Sequence, residues 1–376
     1  MERVIAFCSN IAQCQRDLIL DPAWCELFPG TGWLPHFSQL LTTHDWRLTT
    51  GDLALGSVEA GELSASNVFV IAVEDSDHAE RLISLGATGG VLICAESPLF
   101  ARTFYERVAQ LGPKYLVRIL FGGSIEAHFP NTPRTFQTRF PAFSRNGPPV
   151  ETQPWSRRKS MVMVAACKYW RTPFNPSFLR KPKKLEAWLR GKLGLSRSSI
   201  KKLAQHSQLH DRRLELIEYF GRNGQLNVFG AAWNLPYSIP WKWRLRLSSL
   251  LQQLRIETCD HKKKIIANYR FAFALENISY PGYHTEKIID CFAAGVIPIY
   301  LGDPLIKQTM PSSSFIHLSD FNDLSDLSDY LIAFSEANAV SMLAEGRAFL
   351  KNDGDAYSYE GFAEKIITVI HPYLHN

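Results

Sequence analysis

Short apolar runs recur along the chain, and segments with helical spacing separate most of them. Between Asp211 and Phe220, for example, Leu214 and Ile217 repeat at helical spacing after a good N-cap residue. Such alternation of strands and helices predicts α/β layers built on parallel sheets. The predicted strands are Val4–Cys8, Val68–Val73, Gly90–Cys94, Met161–Cys167, Leu226–Phe229, Phe271–Leu275, Ile297–Tyr300 and Phe315–Leu318.

Periodicity is lost between Phe129 and Trp155, where the chain is rich in Pro, Asn, Thr and Arg. A stretch of this kind is typical of a link between domains. We therefore predict two Rossmann-like domains, residues 1–155 and 156–376. The second domain is expected to hold a basic insertion at about 168–208 and the C-terminal helices. A length of 376 residues also suits two domains.

Composition narrows the class of protein. Seven cysteines are scattered through the chain, several of them inside apolar runs, which favours buried thiols over a disulfide framework or a zinc site. No window approaches the ~20 apolar residues that a membrane helix needs. The first residues do not combine a basic region with a sustained apolar stretch. These features predict a cytoplasmic protein.

The net charge of +5 hides a local asymmetry. Residues 1–100 hold 4 Lys and Arg against 13 Asp and Glu, whereas residues 157–202 hold 14 against one. The basic segment 168–208 also carries Trp, Phe and Leu. It could therefore lie on the inner face of an anionic membrane or collect an acidic or lipid-linked acceptor. Trp241–Arg255 is a second such segment, and amphipathic helices packed on the second domain are the alternative for both.

Candidate chemistry lies after the strand Phe271–Leu275. In parallel sheets, ligands bind beyond the carboxyl ends of the strands. Here we expect a helix whose first turn carries Thr285, Glu286 and Lys287. A lysine in that turn is unfavourable for the helix dipole, and Glu286 with Asp290 makes a like-charge pair. Phosphates for the lysine and hydroxyls for the glutamate would explain this pattern, which predicts a nucleotide sugar. A solvated helix end with a Lys287–Asp290 pair, worth ~0.2–0.5 kcal/mol, is the alternative.

Four segments in this region follow one another in a recognisable order: FAFALEN (271–277), YHTEK (283–287), GVIPIYLG (295–302) and PSSSFIHLSDF (311–321). With NDGDAYSYEGF (352–362), they resemble the signature of the α-1,3/1,4-fucosyltransferases, glycosyltransferase family 10, over roughly residues 265–370. Upstream, ICAESP is similar to the family's Glu-Ser-Pro element. His284 replaces the usual Val, and Ala274 and Leu275 stand where an aromatic residue often precedes Glu-Asn. The lack of paired cysteines like those of the animal enzymes suits a bacterial member.

The resemblance implies a GT-B-like fold, in which two Rossmann-like domains face each other across a cleft and the second holds most of GDP-fucose. It implies cations near the diphosphate and a tyrosine and a glutamate at the phosphate or ribose; Arg212 is the alternative to Arg213. The donor-binding residues that it implies are Arg213, Glu276, Asn277, Tyr283, Glu286 and Lys287.

For the catalytic base the resemblance indicates Glu96, just past the strand Gly90–Cys94. Inverting transfer needs a group that removes the proton of the acceptor hydroxyl. The alternative is that Glu96 caps a helix that Ser97 and Pro98 begin.

Two Asp-X-Asp sequences, Asp75–Asp77 and Asp353–Asp355, spell the motif that other glycosyltransferases use to hold a divalent ion. Surface solvation is the commoner reason for such a pattern. With Arg213 and Lys287 available to neutralise the leaving diphosphate, we expect no obligate metal.

The resemblance therefore implies an inverting fucosyltransferase that moves L-fucose from GDP-β-L-fucose to a glycan hydroxyl in α-1,3 or α-1,4 linkage. A surface polysaccharide or a lipid-linked oligosaccharide is the expected acceptor, and peripheral contact with the inner membrane through residues 168–208 is a further expectation. One alternative is a related enzyme that uses another nucleotide sugar. A membrane-surface or nucleic-acid-binding protein is the other, although the chain has no recognised nucleic-acid motif, so no nucleic acid is expected as a partner.

Overall fold

A computed structural model of the chain describes residues 2–97, 101–121, 134–167, 208–233, 239–254, 256–257 and 261–374. The chain divides into two compact units. Unit 1 consists of Met1–Gly147, Gly282–Glu286 and Asp353–Asn376, and unit 2 of Pro148–Pro281 and Lys287–Asn352. Apart from Gln208, the basic segment 168–208 lies outside the described residues. No helix in the described ranges is long and apolar enough to span a bilayer.

Unit 1 is built on a sheet of six parallel strands in the order β2-β1-β3-β4-β5-β6. Helices cover the sheet, so its strands read as nearly continuous apolar runs; residues 4–8 of β1 are all buried. The strands are β1 Arg3–Cys8, β2 Trp46–Thr50, β3 Val68–Val73, β4 Thr88–Cys94, β5 Val117–Phe121 and β6 Thr135–Thr138.

Unit 2 has a second parallel sheet, of five strands in the order β11-β10-β9-β7-β8. Its strands are β7 Lys159–Val164, β8 Leu226–Phe229, β9 Tyr269–Leu275, β10 Ile297–Leu301 and β11 Ile316–His317. The prediction of α/β layers with parallel sheets is confirmed. Because the strands are parallel, their carboxyl ends lie along one edge, which collects the loops that follow β7, β8, β9 and β10.

The described α-helices pack around these sheets. Those of unit 1 are α1 Pro22–Leu27, α2 Trp33–Leu41, α3 Gly51–Glu59, α4 Asp77–Ser84, α5 Arg102–Leu111 and, after unit 2, α13 Tyr359–Leu374. Those of unit 2 are α6 His210–Arg222, α7 Trp241–Gln253, α8 Lys262–Ile266, α9 Glu286–Ala293, α10 Ile306–Thr309, α11 Leu324–Ile332 and α12 Glu336–Asn352. Helix α9 begins at Glu286, the last residue of a unit 1 segment.

The last helix differs from the prediction, which assigned all the C-terminal helices to the second domain. Helix α13 packs into the core of unit 1. The ring of Phe362 lies 4.9 Å from that of Trp33 and 5.6 Å from that of Phe121, measured between centroids. Phe362, Ile366 and Ile370 are buried at a four-residue interval, so one apolar side of the helix covers the first sheet. Periodicity predicts this apolar side but not which sheet it covers.

Candidate donor and base sites

Arg213 lies in the first turn of α6, and its side chain is 1% exposed. Its Nη2 donates to the carbonyl oxygens of Leu275 and Glu276, at 2.6 and 3.0 Å, and to Oδ1 of Asn277 at 3.1 Å. The guanidinium therefore holds the chain where strand β9 ends. A planar group with five N–H donors suits a place where several acceptors converge.

The prediction that Arg213 rather than Arg212 belongs to the site can be tested by stability. Replacing Arg213 with Met removes the donor for three oxygens, each costly to leave unpaired, so we expect a loss of roughly 3 kcal/mol in the free energy of unfolding. Arg212 is partly exposed and pairs with Glu215 at 2.7 Å, so Arg212→Gln should cost less than about 1 kcal/mol. Chemical denaturation of both variants measures the difference; the reverse order would exclude the assignment.

Lys287 and Glu276 form a buried ion pair at the same strand end. The lysine Nζ donates to Oε2 of Glu276 at 3.0 Å, with side-chain exposures of 14% and 0%. Glu276 directly follows β9, and Lys287 is the second residue of α9. This ion pair joins the end of strand β9 to the start of helix α9.

The alternative interpretation of Lys287, a solvated pair with Asp290, is wrong. Asp290 is 1% exposed, and its carboxylate lies 2.8 Å from Lys262 Nζ and 3.6 Å from Lys263 Nζ, both of helix α8. The spacing of Glu286 and Asp290 suggests repulsion between their two carboxylates. The two lysines offset this repulsion because they neutralise the charge of Asp290. These lysines come from a segment distant in sequence, so helical spacing alone could not identify them.

Gly302 follows strand β10 and lies directly beside Glu276. A Cβ at position 302 would come within 2.4 Å of Cγ of Glu276 and 2.5 Å of the hydroxyl oxygen of Tyr300. Only glycine permits this approach. The glycine that closes the GVIPIYLG segment therefore keeps space for the buried carboxylate that pairs with Lys287.

Two loops at the neighbouring strand ends complete this edge of unit 2. After β8, Gly230 has φ +131°, and Trp233 Nε1 donates to the carbonyl oxygen of Ala165 after β7 at 2.7 Å. Cys167 follows in the same loop. Burial raises the pKa of its thiol to about 12, although the positive charge of Arg213 acts in the opposite direction. Cys167 therefore stays a neutral thiol and is not a nucleophile.

Glu96 lies in unit 1, two residues beyond β4, and its side chain is half-buried. Tyr283 belongs to the unit 1 segment Gly282–Glu286, is 2% exposed, and donates from its hydroxyl to Oε2 of Glu96 at 3.4 Å. The structure thus places the predicted base and one predicted donor-binding residue in contact. A phenolic donor on a carboxylate oxygen orients that carboxylate.

Sequence reasoning missed the residues that hold the backbone of Glu96. Glu74, just after β3 and with φ +57°, accepts the backbone N–H of Glu96 through Oε1 at 2.9 Å. Tyr105 of α5 donates from its hydroxyl to the carbonyl oxygen of Glu96 at 3.1 Å. Burial raises the pKa of Tyr105 well above its ordinary value, with a further contribution from Cys94, so it remains a donor. One sequence signal could have identified Glu74: like Glu96, it follows an apolar strand.

The rest of the YHTEK segment, His284 to Glu286, belongs to unit 1. His284 is 4% exposed, and its Nε2 lies 2.8 Å from the hydroxyl of Tyr357, which is in the NDGDAYSYEGF segment. Two parts of the sequence signature, some seventy residues apart along the chain, therefore meet in unit 1. Glu286 is half-buried at the first position of α9. Its predicted role at the ribose stays a prediction.

Both Asp-X-Asp sequences have local structural roles. Asp75 pairs with Arg107 at 3.4 Å, and Asp77 is the first residue of α4. Asp355 pairs with Arg145 at 3.1 Å. Within the part of the chain that the structure describes, no group of three or more His, Cys, Asp and Glu side chains is arranged to hold a metal ion.

Comparison with solved structures identifies the fold. The fold is similar to that of an alpha-glucosyltransferase in complex with UDP, with a TM-score of 0.57, 9% identity, and coverage of 98% of this chain and 100% of that one. It is also similar to an alpha1,3-fucosyltransferase crystallised with GDP-fucose, with a TM-score of 0.50, 16% identity, and coverage of 100% and 90%. The two Rossmann-like units are those of a GT-B glycosyltransferase fold.

The family follows from sequence. Residues 196–342 match the model of the glycosyltransferase family 10 (fucosyltransferase) C-terminal domain. The chain is 30% identical over 118 residues to an alpha-(1,3)-fucosyltransferase of Helicobacter pylori, which is 31% of this chain and 25% of that protein. It is 38% identical over 77 residues to 4-galactosyl-N-acetylglucosaminide 3-alpha-L-fucosyltransferase 9 of Mus musculus, 20% of this chain and 21% of that protein.

The predicted resemblance to glycosyltransferase family 10 is thereby confirmed over residues 196–342, which match the model of the family's C-terminal domain. The matched stretch includes Arg213, Glu276, Asn277, Tyr283, Glu286 and Lys287. The aligned segments span a quarter or less of either relative.

Proposed function

We propose that this protein is a GDP-fucose-dependent fucosyltransferase that acts on a glycan hydroxyl. The observation that carries the proposal is the match of residues 196–342 to the fucosyltransferase C-terminal domain. Within this stretch, Arg213, Glu276, Asn277 and Lys287 form one connected network at the carboxyl end of β9. The edge beyond the strand ends is where α/β sheets bind nucleotides.

Four of the residues proposed to hold the donor, Arg213, Glu276, Asn277 and Lys287, belong to unit 2. Transfer of fucose leaves GDP with an additional negative charge, which a nearby cation stabilises. Lys287 supplies that cation, and its pairing with Glu276 fixes the direction of its side chain. Arg213 positions the turn that carries Glu276 and Asn277, in addition to the phosphate contact that the family resemblance implies. Tyr283 and Glu286 are proposed at the phosphate and ribose.

Glu96 is the proposed base of an inverting transfer. It takes the proton of the acceptor hydroxyl while that oxygen bonds to the anomeric carbon and the bond to the GDP oxygen breaks. The hydroxyl of Tyr283 orients the carboxylate, and Glu74 and Tyr105 hold the backbone of Glu96. We propose an α-1,3 or α-1,4 linkage and an acceptor that is a surface polysaccharide or a lipid-linked oligosaccharide.

Donor choice is tested by calorimetric titration of the full chain with GDP-fucose, GDP and UDP-sugars, with and without EDTA. We expect selective binding of the guanosine ligands that EDTA does not change, because Lys287 and Arg213 supply the positive charge. Selective binding of a UDP-sugar would favour the same fold with another donor. Loss of binding in EDTA would contradict the metal-free mechanism, and no binding of any nucleotide would exclude the proposed activity.

A cytoplasmic location with peripheral membrane contact is a second proposal. The observation that favours contact is the surface of α7, where Trp241 and Leu245 are 62% and 75% exposed. The same end of the helix carries three basic residues, Lys242, Arg244 and Arg246, and the helix contains no acidic residue. An apolar pair among cations is typical of a helix that lies on an anionic interface.

Neutralising the basic segment tests this proposal. Each lysine near an anionic membrane contributes about 1 kcal/mol, so replacing Lys181, Lys183 and Lys184 with Gln should weaken binding to vesicles that contain anionic lipid roughly 100-fold. Lys351→Gln in unit 2 is the control for loss of a charge elsewhere. Vesicle co-sedimentation measures the effect. Unchanged binding in the triple variant would exclude contact through residues 168–208, and equal binding to neutral vesicles would exclude an electrostatic contact.

A further inference from the structure

Unit 1 contains a cavity of about 240 Å³ between the end of strand β6 and the start of helix α13. Thr138 and Arg139 line it from the strand side, and Gly361, Phe362 and Lys365 from the helix side. Cavities for drug-sized ligands are larger, about 300–1,000 Å³. This one is therefore suited to a group about the size of a single sugar, with the ring of Phe362 as an apolar wall.

Two of the side chains that line this cavity are cationic. Arg139 is half-buried and makes no hydrogen bond or ion pair with any described residue. Lys365 donates from Nζ to the carbonyl oxygen of Gln137 at 2.7 Å. Burial lowers the pKa of Lys365, and the positive charge of Arg139 lowers it further. Two like charges held near each other destabilise the empty cavity, and an anion between them would relieve the repulsion.

The acidic residues close in sequence to the helix side of the cavity, Asp355, Glu360 and Glu364, pair with other groups. Asp355 and Glu364 both lie 3.1 Å from nitrogen atoms of Arg145. Glu360 accepts from Ser144 Oγ at 2.6 Å and from the backbone N–H of Arg145 at 2.9 Å. These carboxylates thus have their own partners, and the charge of Arg139 remains available to a ligand.

The register of the sheet places this cavity on the same edge as the proposed base. Cys94 of β4 pairs with Leu120 of β5, and Leu120 pairs with Gln137 of β6. Glu96 and Arg139 each lie two residues beyond this common rung. Two strand spacings separate them, about 10 Å. That distance is about the reach from one sugar of an oligosaccharide to a neighbouring sugar.

We propose that this cavity binds a carboxylate-bearing sugar of the acceptor, next to the sugar that receives fucose. The inference rests on the proposed fucosyl transfer and names the class of acceptor, an acidic glycan. Arginine binds a carboxylate through two parallel N–H donors, and Lys365 adds a second cation. The hydroxyl of Thr138 is available to the sugar's own hydroxyls.

The test titrates the full-length protein with glucuronic acid, glucose and inorganic phosphate, followed by NMR or calorimetry. We expect glucuronate to bind and glucose not to bind, and we expect Arg139→Gln with Lys365→Gln to weaken glucuronate binding at least about tenfold. Because Arg139 makes no hydrogen bond or ion pair with any described residue, the single variant Arg139→Gln should fold normally. It shows whether a loss of binding in the double variant is due to misfolding. Arg47→Gln, at an exposed pair with Glu2 in the same unit, is the control.

The outcomes separate this inference from the proposed function. Equal binding of glucose, binding of phosphate without glucuronate, or glucuronate binding that the double variant does not change would each overturn the acidic-sugar subsite. Titration of the same samples with GDP-fucose gives the independent reading. A protein that binds GDP-fucose but shows one of those three results would lose only this inference, whereas a protein that binds no GDP-fucose would lose the proposed function.

Discussion

Lys287→Ala is expected to abolish measurable donor binding and to destabilise unit 2. Removing the ammonium leaves Glu276, which is 0% exposed, as a buried charge without its partner at 3.0 Å. Breaking one side of a buried pair costs about 3 kcal/mol in the free energy of unfolding. Loss of the cation at the leaving diphosphate should lower kcat/KM for transfer roughly 100-fold. Calorimetric titration with GDP-fucose, chemical denaturation and a transfer assay measure these three effects separately.

A second variant separates the two roles of this pair. Lys287→Met combined with Glu276→Gln removes both charges, and neutral replacement of a buried pair is often close to neutral for stability. We expect this double variant to regain most of the stability but none of the donor binding. Lys307→Ala, at a pair with Asp320 that is about half exposed, is the matched control and should change neither. Donor binding in the double variant equal to that of the unmodified protein would exclude Lys287 from the donor site.

The strands predicted from sequence were those with uninterrupted apolar runs, and all eight of them correspond to strands in the sheets. Three strands of unit 1 were not predicted: β2, β5 and β6. Trp46–Thr50 is half polar, and Val117–Phe121 contains an arginine. Thr135–Thr138 is an edge strand, half exposed, within the stretch that composition assigned to a link. A partly exposed edge strand need not be apolar on both faces, so a search for uninterrupted apolar runs does not detect it.

The candidate site was predictable where its residues share one stretch of sequence. FAFALEN and YHTEK identified Glu276 and Lys287, but not that they pair with each other. Contacts between distant segments could not be predicted from the sequence. Examples are the hydrogen bond from Tyr105 to the carbonyl oxygen of Glu96 and the ion pairs between Asp290 and the lysines of α8. Such contacts depend on which helix packs on which sheet, information that a single sequence does not contain.

Glu96→Gln is expected to lower kcat by roughly 10²–10⁴-fold while leaving the affinity for GDP-fucose unchanged, because a base acts on the acceptor and not on the donor. Glutamine keeps an oxygen that can accept from Tyr283, so the fold should be retained. Glu62→Gln, at an exposed position of the same unit, is the control and should transfer fucose at the normal rate. Single-turnover transfer to an acceptor that the unmodified protein uses, with a parallel GDP-fucose titration, gives both quantities.

The pH dependence of the same variant distinguishes a base from an orienting residue. A carboxylate base works only when it is deprotonated, so the rate of the unmodified protein should fall on the acidic side of its profile, and Glu96→Gln should lose that dependence along with the rate. Tyr283→Phe removes only the hydroxyl that contacts Glu96 at 3.4 Å. It should keep the acidic side of the profile, with a smaller loss of kcat. If Glu96→Gln kept both the rate and the acidic limb, Glu96 would be a structural residue at the end of β4 and the base would have to be sought among other groups of the chain.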